Sequence, residues 1–262
     1  MELVESAVLA SLAFVSIQPE EVDAVLLVSC TLDAGSNLRP HWLARLSAQL
    51  GLDRVPHYHV GMTGCGGFHW AARLAAAMVG SGHCRRVLIV TFDVVAPPLQ
   101  RLYEEGTRFM YVAGDAAACC IVSGYPEGMD YRLIGPVLNL SDARQISEPS
   151  IDGEINIIAR LFKAIYEESG VLQSDIDFFV TNSYSLEVSQ LYCQLAGVPF
   201  SKALTSTIST HAHCFSSDNL INLDLLTRSR TAHEGQRILC FSAGPFQWGA
   251  CVLSTLRAGG AQ

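Results

Sequence analysis

The sequence predicts an α/β layered fold built from two similar halves. Helical and strand-like patterns alternate along the chain, the strands are apolar on both faces, and blocks of the first half recur in order in the second. Strands are expected at 24–28, 86–91, 117–122, 178–181, 238–241 and 250–253, each a short apolar run. Helices are expected at 67–78 and 154–168. In the second, Ile158, Leu161, Phe162 and Ile165 fall at i, i+3, i+4 and i+7 on one helical face.

The repetition is legible in three pairs of segments. "SIQPEEVDAVLLVSC" (16–30) shares its register with "GVLQSDIDFFVTNSY" (170–184), an acidic turn leading through an apolar-Asp step into a strand. "QLGLDRV" (49–55) echoes "QLAGVPF" (194–200), and "RRVLIVTFD" (85–93) echoes "QRILCFSAG" (236–244). The polar, turn-rich stretch around Ser150 divides the halves, giving expected units of 1–150 and 151–262. Between the last two pairs lie "GMTGCGGFHW" (61–70) and "STHAHCFSSD" (209–218). A pseudo-two-fold axis would bring these strand-to-helix turns together, one with a thiol and the other with histidines.

Composition narrows the function. Of 262 residues, 50% are hydrophobic and 16% charged, and the mean hydropathy is +0.28, so a large core is expected and disorder excluded. With 17 basic against 25 acidic residues the net charge is −8, which argues against nucleic-acid binding. Nine cysteines, an odd number without metal-ligand spacing, read as reduced thiols of a cytoplasmic protein. Glu2 and Glu5 oppose a signal peptide, and Arg73, His69 and glycines break the apolar stretch 60–84, so no membrane span or export signal is expected. No metalloprotease, P-loop or dinucleotide motif occurs, and no metal or cofactor is expected.

Cys65 is the candidate nucleophile. It stands among glycines just before an Ala-rich helix, where the backbone turns sharply, the sulfur is uncovered and a helix N-terminus favours the thiolate. His213 and Asp218 are five positions apart at the matching turn, so the carboxylate can orient an imidazole acting on Cys65. His211 is the alternative base. His57 and His59 alternate along a strand-like run and read as packing residues facing one side.

Taken together these segments resemble the ketosynthase III (3-oxoacyl-ACP synthase III) family of the thiolase fold over nearly the whole chain. "GCGGFHWAARLAAAMVGSGHCRRVLIVTFD" (64–93) looks like its nucleophile segment, "YVAGDAAACCIV" (111–122) like its Gly-Asp strand entry, and "FSAGPFQWGACVL" (241–253) like its C-terminal hairpin. The resemblance implies an acyl-accepting Cys65, an oxyanion hole from the N–H groups of Cys65 and of Ala243 or Gly244, and a homodimer. Three departures qualify it. The family's His-Gln-Ala-Asn histidine falls on Asn182, left to position substrate or water. His213 with Asp218 occupies the region of the family's Gly-Asn-Thr-Ser asparagine, as in a divergent acyltransferase branch with a Cys-His-Asp triad. Met1 aligns past the usual first strand, which favours an acyl carrier protein over coenzyme A as donor. The resemblance therefore implies acyl transfer to a hydroxyl, amine or carrier thiol of an acceptor, in polyketide or other secondary metabolism. Decarboxylative condensation or a non-catalytic partner subunit are the alternatives.

Overall fold

The computed structural model describes residues 2–32, 40–96, 100–103, 111–229 and 231–256. Its strands are β1 (Ala24–Val28), β2 (His57–Val60), β3 (Arg86–Asp93), β4 (Leu102–Tyr103), β5 (Tyr111–Val112), β6 (Ala116–Ser123), β7 (Tyr131–Ser141), β8 (Ile176–Val180), β9 (Arg237–Ala243) and β10 (Gln247–Thr255). Its helices are α1 (Glu2–Phe14), α2 (Pro40–Gln49), α3 (Gly67–Gly80), α4 (Arg144–Ser147), α5 (Ile151–Ser169), α6 (Leu186–Ala196), α7 (Ser206–Thr210) and α8 (Asp218–Ser229). Two four-stranded sheets form, ordered β2-β1-β3-β6 and β7-β10-β9-β8, with β4 and β5 pairing apart. The fold is the thiolase-like α/β architecture that the sequence predicts.

The layers follow from two-sided strands. Alternate residues of a strand face opposite sides. In β1, Val25 and Leu27 pack outward with Val8 and Leu12 of α1 and Leu46 of α2. Ala24, Leu26 and Val28 pack inward with Ala71 and Ala75 of α3. In the second sheet, Phe179, Leu239 and Phe241 face α5 and α6, while Val180, Ile238 and Cys240 face Leu223 and Leu226 of α8. Helices α3 and α8 thus lie between the sheets, with α1 and α2 outside one and α5 and α6 outside the other. The Ala-rich face of α3 lets the central layer approach closely.

The two halves share the run of elements that carries the site. A 3₁₀ turn leads into β1 (Pro19–Glu21) and another into β8 (Gln173–Asp175). β1 pairs parallel with β3, and β3 antiparallel with β6; β8 pairs parallel with β9, and β9 antiparallel with β10. The turn and helix between each parallel pair carry Cys65 in one half and His213–Asp218 in the other.

Two expectations are corrected. β7 lies within 1–150 yet pairs with β10, so the sheets divide between Ser123 and Tyr131 rather than near Ser150. Gly135 and Pro136 hide this strand from a pattern reading. An edge strand tolerates proline, and Gly135, at φ +70°, lies where a Cβ would meet Ser169 Cα at 2.8 Å. His57 and His59 do not share a packed face, because β2 is an edge strand. His57 bonds Ser47 Oγ (2.9 Å) and Val55 O (2.7 Å), whereas His59 is exposed.

At the end of β3, fully buried Asp93 ties that strand to the turn after β1. Its Oδ1 accepts from the N–H groups of Cys30 (2.7 Å) and Thr31 (2.8 Å) and from both the Ser29 and Thr31 hydroxyls (3.1 Å). Its Oδ2 has no partner among the described residues, and burial pushes the carboxyl up to about 7. A carboxyl raised in the folded state contributes stability that is present at low pH and lost as pH climbs through its folded value. Between pH 5 and 9 the thermal midpoint of the wild type should therefore fall relative to that of Asp93→Asn, by on the order of 5 °C. Parallel pH profiles from calorimetry would contradict this account of Asp93.

Candidate active site

Cys65 lies in the 3₁₀ turn Gly64–Gly66, which runs directly into α3. The backbone arrives in an unusual conformation, with Met62 and Gly64 both at positive φ (56° and 52°). Close packing of the two halves requires Gly67, since a Cβ there would fall 2.5 Å from Val28 Cγ1 and 2.9 Å from Ser216 Oγ. N–H groups in the first turn of a helix lack intrahelical acceptors and carry partial positive charge, which suits a thiolate. Cys65 is buried, at 8% exposure.

His213 is clamped before its side chain is placed. Its N–H donates to Val112 O (2.8 Å), and its carbonyl accepts from Gly114 N–H (2.9 Å). Nearby Ala212 and Phe215 hold positive φ (63° and 53°), each costing about 1–3 kcal/mol outside glycine, which the clamp and surrounding packing offset. The imidazole, fully buried, sets Nε2 3.1 Å from Cys65 Sγ and Nδ1 2.5 Å from Asp218 Oδ2. Since a carboxylate only accepts, Nδ1 carries the proton of that bond and Nε2 faces the sulfur. Asp218, the first residue of α8, also accepts at Oδ1 from Cys214 N–H (2.7 Å) and at Oδ2 from Ser183 N–H (2.9 Å). His211 is exposed and bonds Thr210 Oγ1 (2.8 Å), away from this constellation.

The remaining candidates are differently placed than expected. The Asn182 amide does not face substrate: Nδ2 donates to Asp218 Oδ2 (3.3 Å) and Phe215 O (3.4 Å), while Oδ1 accepts from Ala243 N–H (2.8 Å). Asn182 braces the carboxylate. By the same bond Ala243 N–H is already engaged, and Gly244 N–H donates to Gln247 O (2.7 Å) within the hairpin, so neither is a free oxyanion donor. Gly244 contributes otherwise. A side chain there would come within 3.1 Å of Cys65 N, so its absence leaves space beside that N–H.

Several residues not singled out in the sequence line the site. The Tyr184 ring lies 4.1 Å from that of His213, and its hydroxyl donates to Ala243 O (2.8 Å). Tyr111 packs edge-on to both Tyr184 (5.2 Å) and His213 (5.0 Å) and stacks on Tyr103 (4.7 Å). Asp115 of the Gly-Asp motif bonds Val95 N–H (2.8 Å) and Arg101 Nη2 (2.7 Å), tying together segments beside this aromatic wall. Alternating apolar patterns carry no sign of such a wall, because its rings come from separate segments.

The electrostatics favour an ion pair. The Cys65 thiol is held well below its ordinary value, first by the neighbouring Cys30 thiol, then by the charge and hydrogen bond of His213, against the opposing effect of burial. Burial pulls the His213 imidazolium down, but the negative charges and hydrogen bonds of Asp218 and Cys65 outweigh it and push it up to about 10. A thiolate and an imidazolium are the species this arrangement holds near neutral pH.

Comparison with known proteins agrees with the geometry. The family model for the 3-oxoacyl-[acyl-carrier-protein] synthase III domain matches residues 62–139, and that for its C-terminal domain matches residues 166–255. The chain belongs to the 3-oxoacyl-[acyl-carrier-protein] synthase III family. A beta-ketoacyl-[acyl-carrier-protein] synthase III of Deinococcus radiodurans is 22% identical, over 89% of this chain and 73% of its own. Among solved structures, the acyltransferase ChlB3 superposes with a TM-score of 0.84 at 20% identity, covering 98% of this chain and 84% of its own. The priming β-ketosynthase of the R1128 polyketide pathway gives a TM-score of 0.73 at 21% identity, covering 97% and 81%. Membership of this family makes the chain similar to transferases and condensing enzymes of the thiolase fold.

The ion pair predicts a pH profile. Alkylation of Cys65 by iodoacetamide, followed by peptide mass mapping, should stay fast well below pH 8 and slow only in acid. In His213→Ala the transition should rise toward the ordinary thiol value of about 8.5. A wild-type transition already at that value would refute the ion pair.

Proposed function

We propose that the chain is an acyltransferase that loads an acyl group from an acyl carrier protein thioester onto Cys65 and passes it to a hydroxyl, amine or carrier-thiol acceptor. One observation carries this reading above the others. The position that the family gives to a second histidine holds Asn182, and its amide is engaged in bracing Asp218. Decarboxylative condensation needs an imidazole and amide pair aimed at a developing enolate, and among the described residues His213 has no such partner hydrogen-bonded to the sulfur. An imidazole backed by a carboxylate is suited instead to deprotonating an incoming nucleophile.

In the first half-reaction the Cys65 thiolate attacks the thioester carbonyl, and the oxyanion develops beside Cys65 N–H. The tetrahedral intermediate collapses by breaking the bond to the donor sulfur, which takes its proton from His213 Nε2. Acylation also removes the thiolate charge, one of the causes that raise His213. The imidazole is left neutral and becomes a base. It then removes the acceptor's proton as the acceptor attacks the acyl-cysteine, and Asp218 stabilises the imidazolium that forms. The cycle is ping-pong and returns the thiolate–imidazolium pair.

Coenzyme A is the alternative donor, and a role in polyketide or other secondary metabolism belongs to the same proposal, supported by the fold shared with ChlB3 and the R1128 enzyme. A cytoplasmic homodimer is consistent with nine free cysteines and with β6, which pairs only with β3 among the described residues and leaves an edge open. No helix among the described residues is long and apolar enough to cross a membrane.

Intact mass after incubation with a panel of acyl-carrier thioesters should show a single adduct mapping to Cys65, absent in Cys65→Ala. Malonyl thioesters should release no CO₂. Asp218→Asn should still load but lose turnover to the acceptor by on the order of 10³–10⁴-fold, as expected when an orienting carboxylate is neutralised. CO₂ release with formation of a β-ketoacyl product would establish condensation, and no adduct with any donor would favour a non-catalytic partner subunit.

A further inference from the structure

Among the described residues, three aromatic rings pack against the imidazole of His213. The Tyr184 ring lies closest to parallel with it, the centroids 4.1 Å apart and the planes tilted by 32°. Tyr111 stands edge-on at 5.0 Å, its own ring backed by Tyr103 stacked 4.7 Å away. Phe215 lies at 5.1 Å, on a backbone held at φ 53°. Tyr184 is fixed at three points. Its hydroxyl donates to Ala243 O (2.8 Å), the N–H of Ser183 before it donates to Asp218 Oδ2 (2.9 Å), and Ser185 after it caps α6. With the hydroxyl engaged on a carbonyl, what Tyr184 presents to the histidine is the face of its ring.

The face of an aromatic ring is the negative side of its quadrupole, and a cation within about 6 Å of the centroid is attracted to it. That attraction acts on an imidazolium and only weakly on a neutral imidazole, so a stacked ring selects the charged form. The effect is larger where bulk solvent is shut out, and His213 is fully buried. We propose that Tyr184 is a positioning residue for the base: its ring face, in a cage completed by Tyr111 and Phe215, stabilises the imidazolium of His213 and holds the ring between Cys65 and Asp218. The inference rests on the reading of His213 as the base of an acyltransferase and deepens it. When the acceptor gives up its proton, positive charge forms on His213. By then Cys65 is acylated and contributes no negative charge, so Asp218 and the ring face stabilise the imidazolium between them. The cage makes the imidazole a stronger base at the step where the acceptor attacks.

Among the described residues, the titratable groups facing His213 are Cys65 from the turn before α3, Asp218 from α8, Tyr111 from β5 and Tyr184 itself. The test is made in Cys65→Ala, where no thiolate contributes, on protein carrying ¹³C-labelled histidine. The Cε1–H signal of His213, identified by its loss in His213→Asn, is titrated by NMR. Tyr184→Leu and Tyr184→Met both replace the ring with an apolar side chain, and either folded variant suffices. The imidazolium transition should fall by about one pH unit, a roughly tenfold weaker hold on the proton. Tyr184→Phe keeps the ring face and loses only the bond to Ala243 O, so its transition should stay with that of the Tyr184 protein. A purely structural role for the tyrosine would not separate Phe from Leu. An unmoved transition in the Leu or Met variant, or a Phe variant that shifts as far as they do, would overturn the proposal. The titration needs no acyl donor, so an intact ring effect without acyl loading would sink the proposed function and leave this assignment standing.

Discussion

The site depends on a buried carboxylate whose acceptor positions are filled. Asp218 receives the imidazole of His213, two backbone N–H groups and the amide of Asn182. A carboxylate in a dry interior is stable only when it is this well solvated by the protein, and once so held it fixes whatever it touches. What it touches is one nitrogen of His213, and the other nitrogen reaches the sulfur. The tautomer, the ring plane and the distance to Cys65 all follow from that single anchor.

The positioning extends into the backbone. The turns of both halves carry non-glycine residues in the left-handed region, Met62 before Cys65 and Ala212 and Phe215 around His213. Such conformations persist where the surroundings over-determine them. Here the clamp between His213 and the strand of Val112, and the glycine-only contact of Gly67 with Val28 and Ser216, do so. The two halves contribute complementary parts: one supplies a sulfur at a helix start, the other an imidazole and its carboxylate. Neither half alone has the chemistry.

The Asn182 amide is part of the support of Asp218 and is not turned toward the sulfur.

The strands around Cys65 and His213, the duplicated order of elements and the Cys-His-Asp set were legible because each is local: apolar periodicity, a glycine-flanked cysteine before a helix, and a histidine five residues from an aspartate. β7 was hidden by Gly135 and Pro136, whose tolerance depends on an edge position that only pairing with β10 defines. The choice of His213 over His211 was likewise open in the sequence, since two residues of spacing do not say which ring turns inward. The engaged N–H groups of Ala243 and Gly244 and the aromatic wall depend on segments far apart in the chain. The sequence by itself determined the layered fold and the residue types of the site, because periodicity and helix-terminus chemistry act over a few residues. Which donors are free, and which groups meet the sulfur, only the tertiary structure decided, because hydrogen bonds and burial are settled between elements that meet in space and not along the chain.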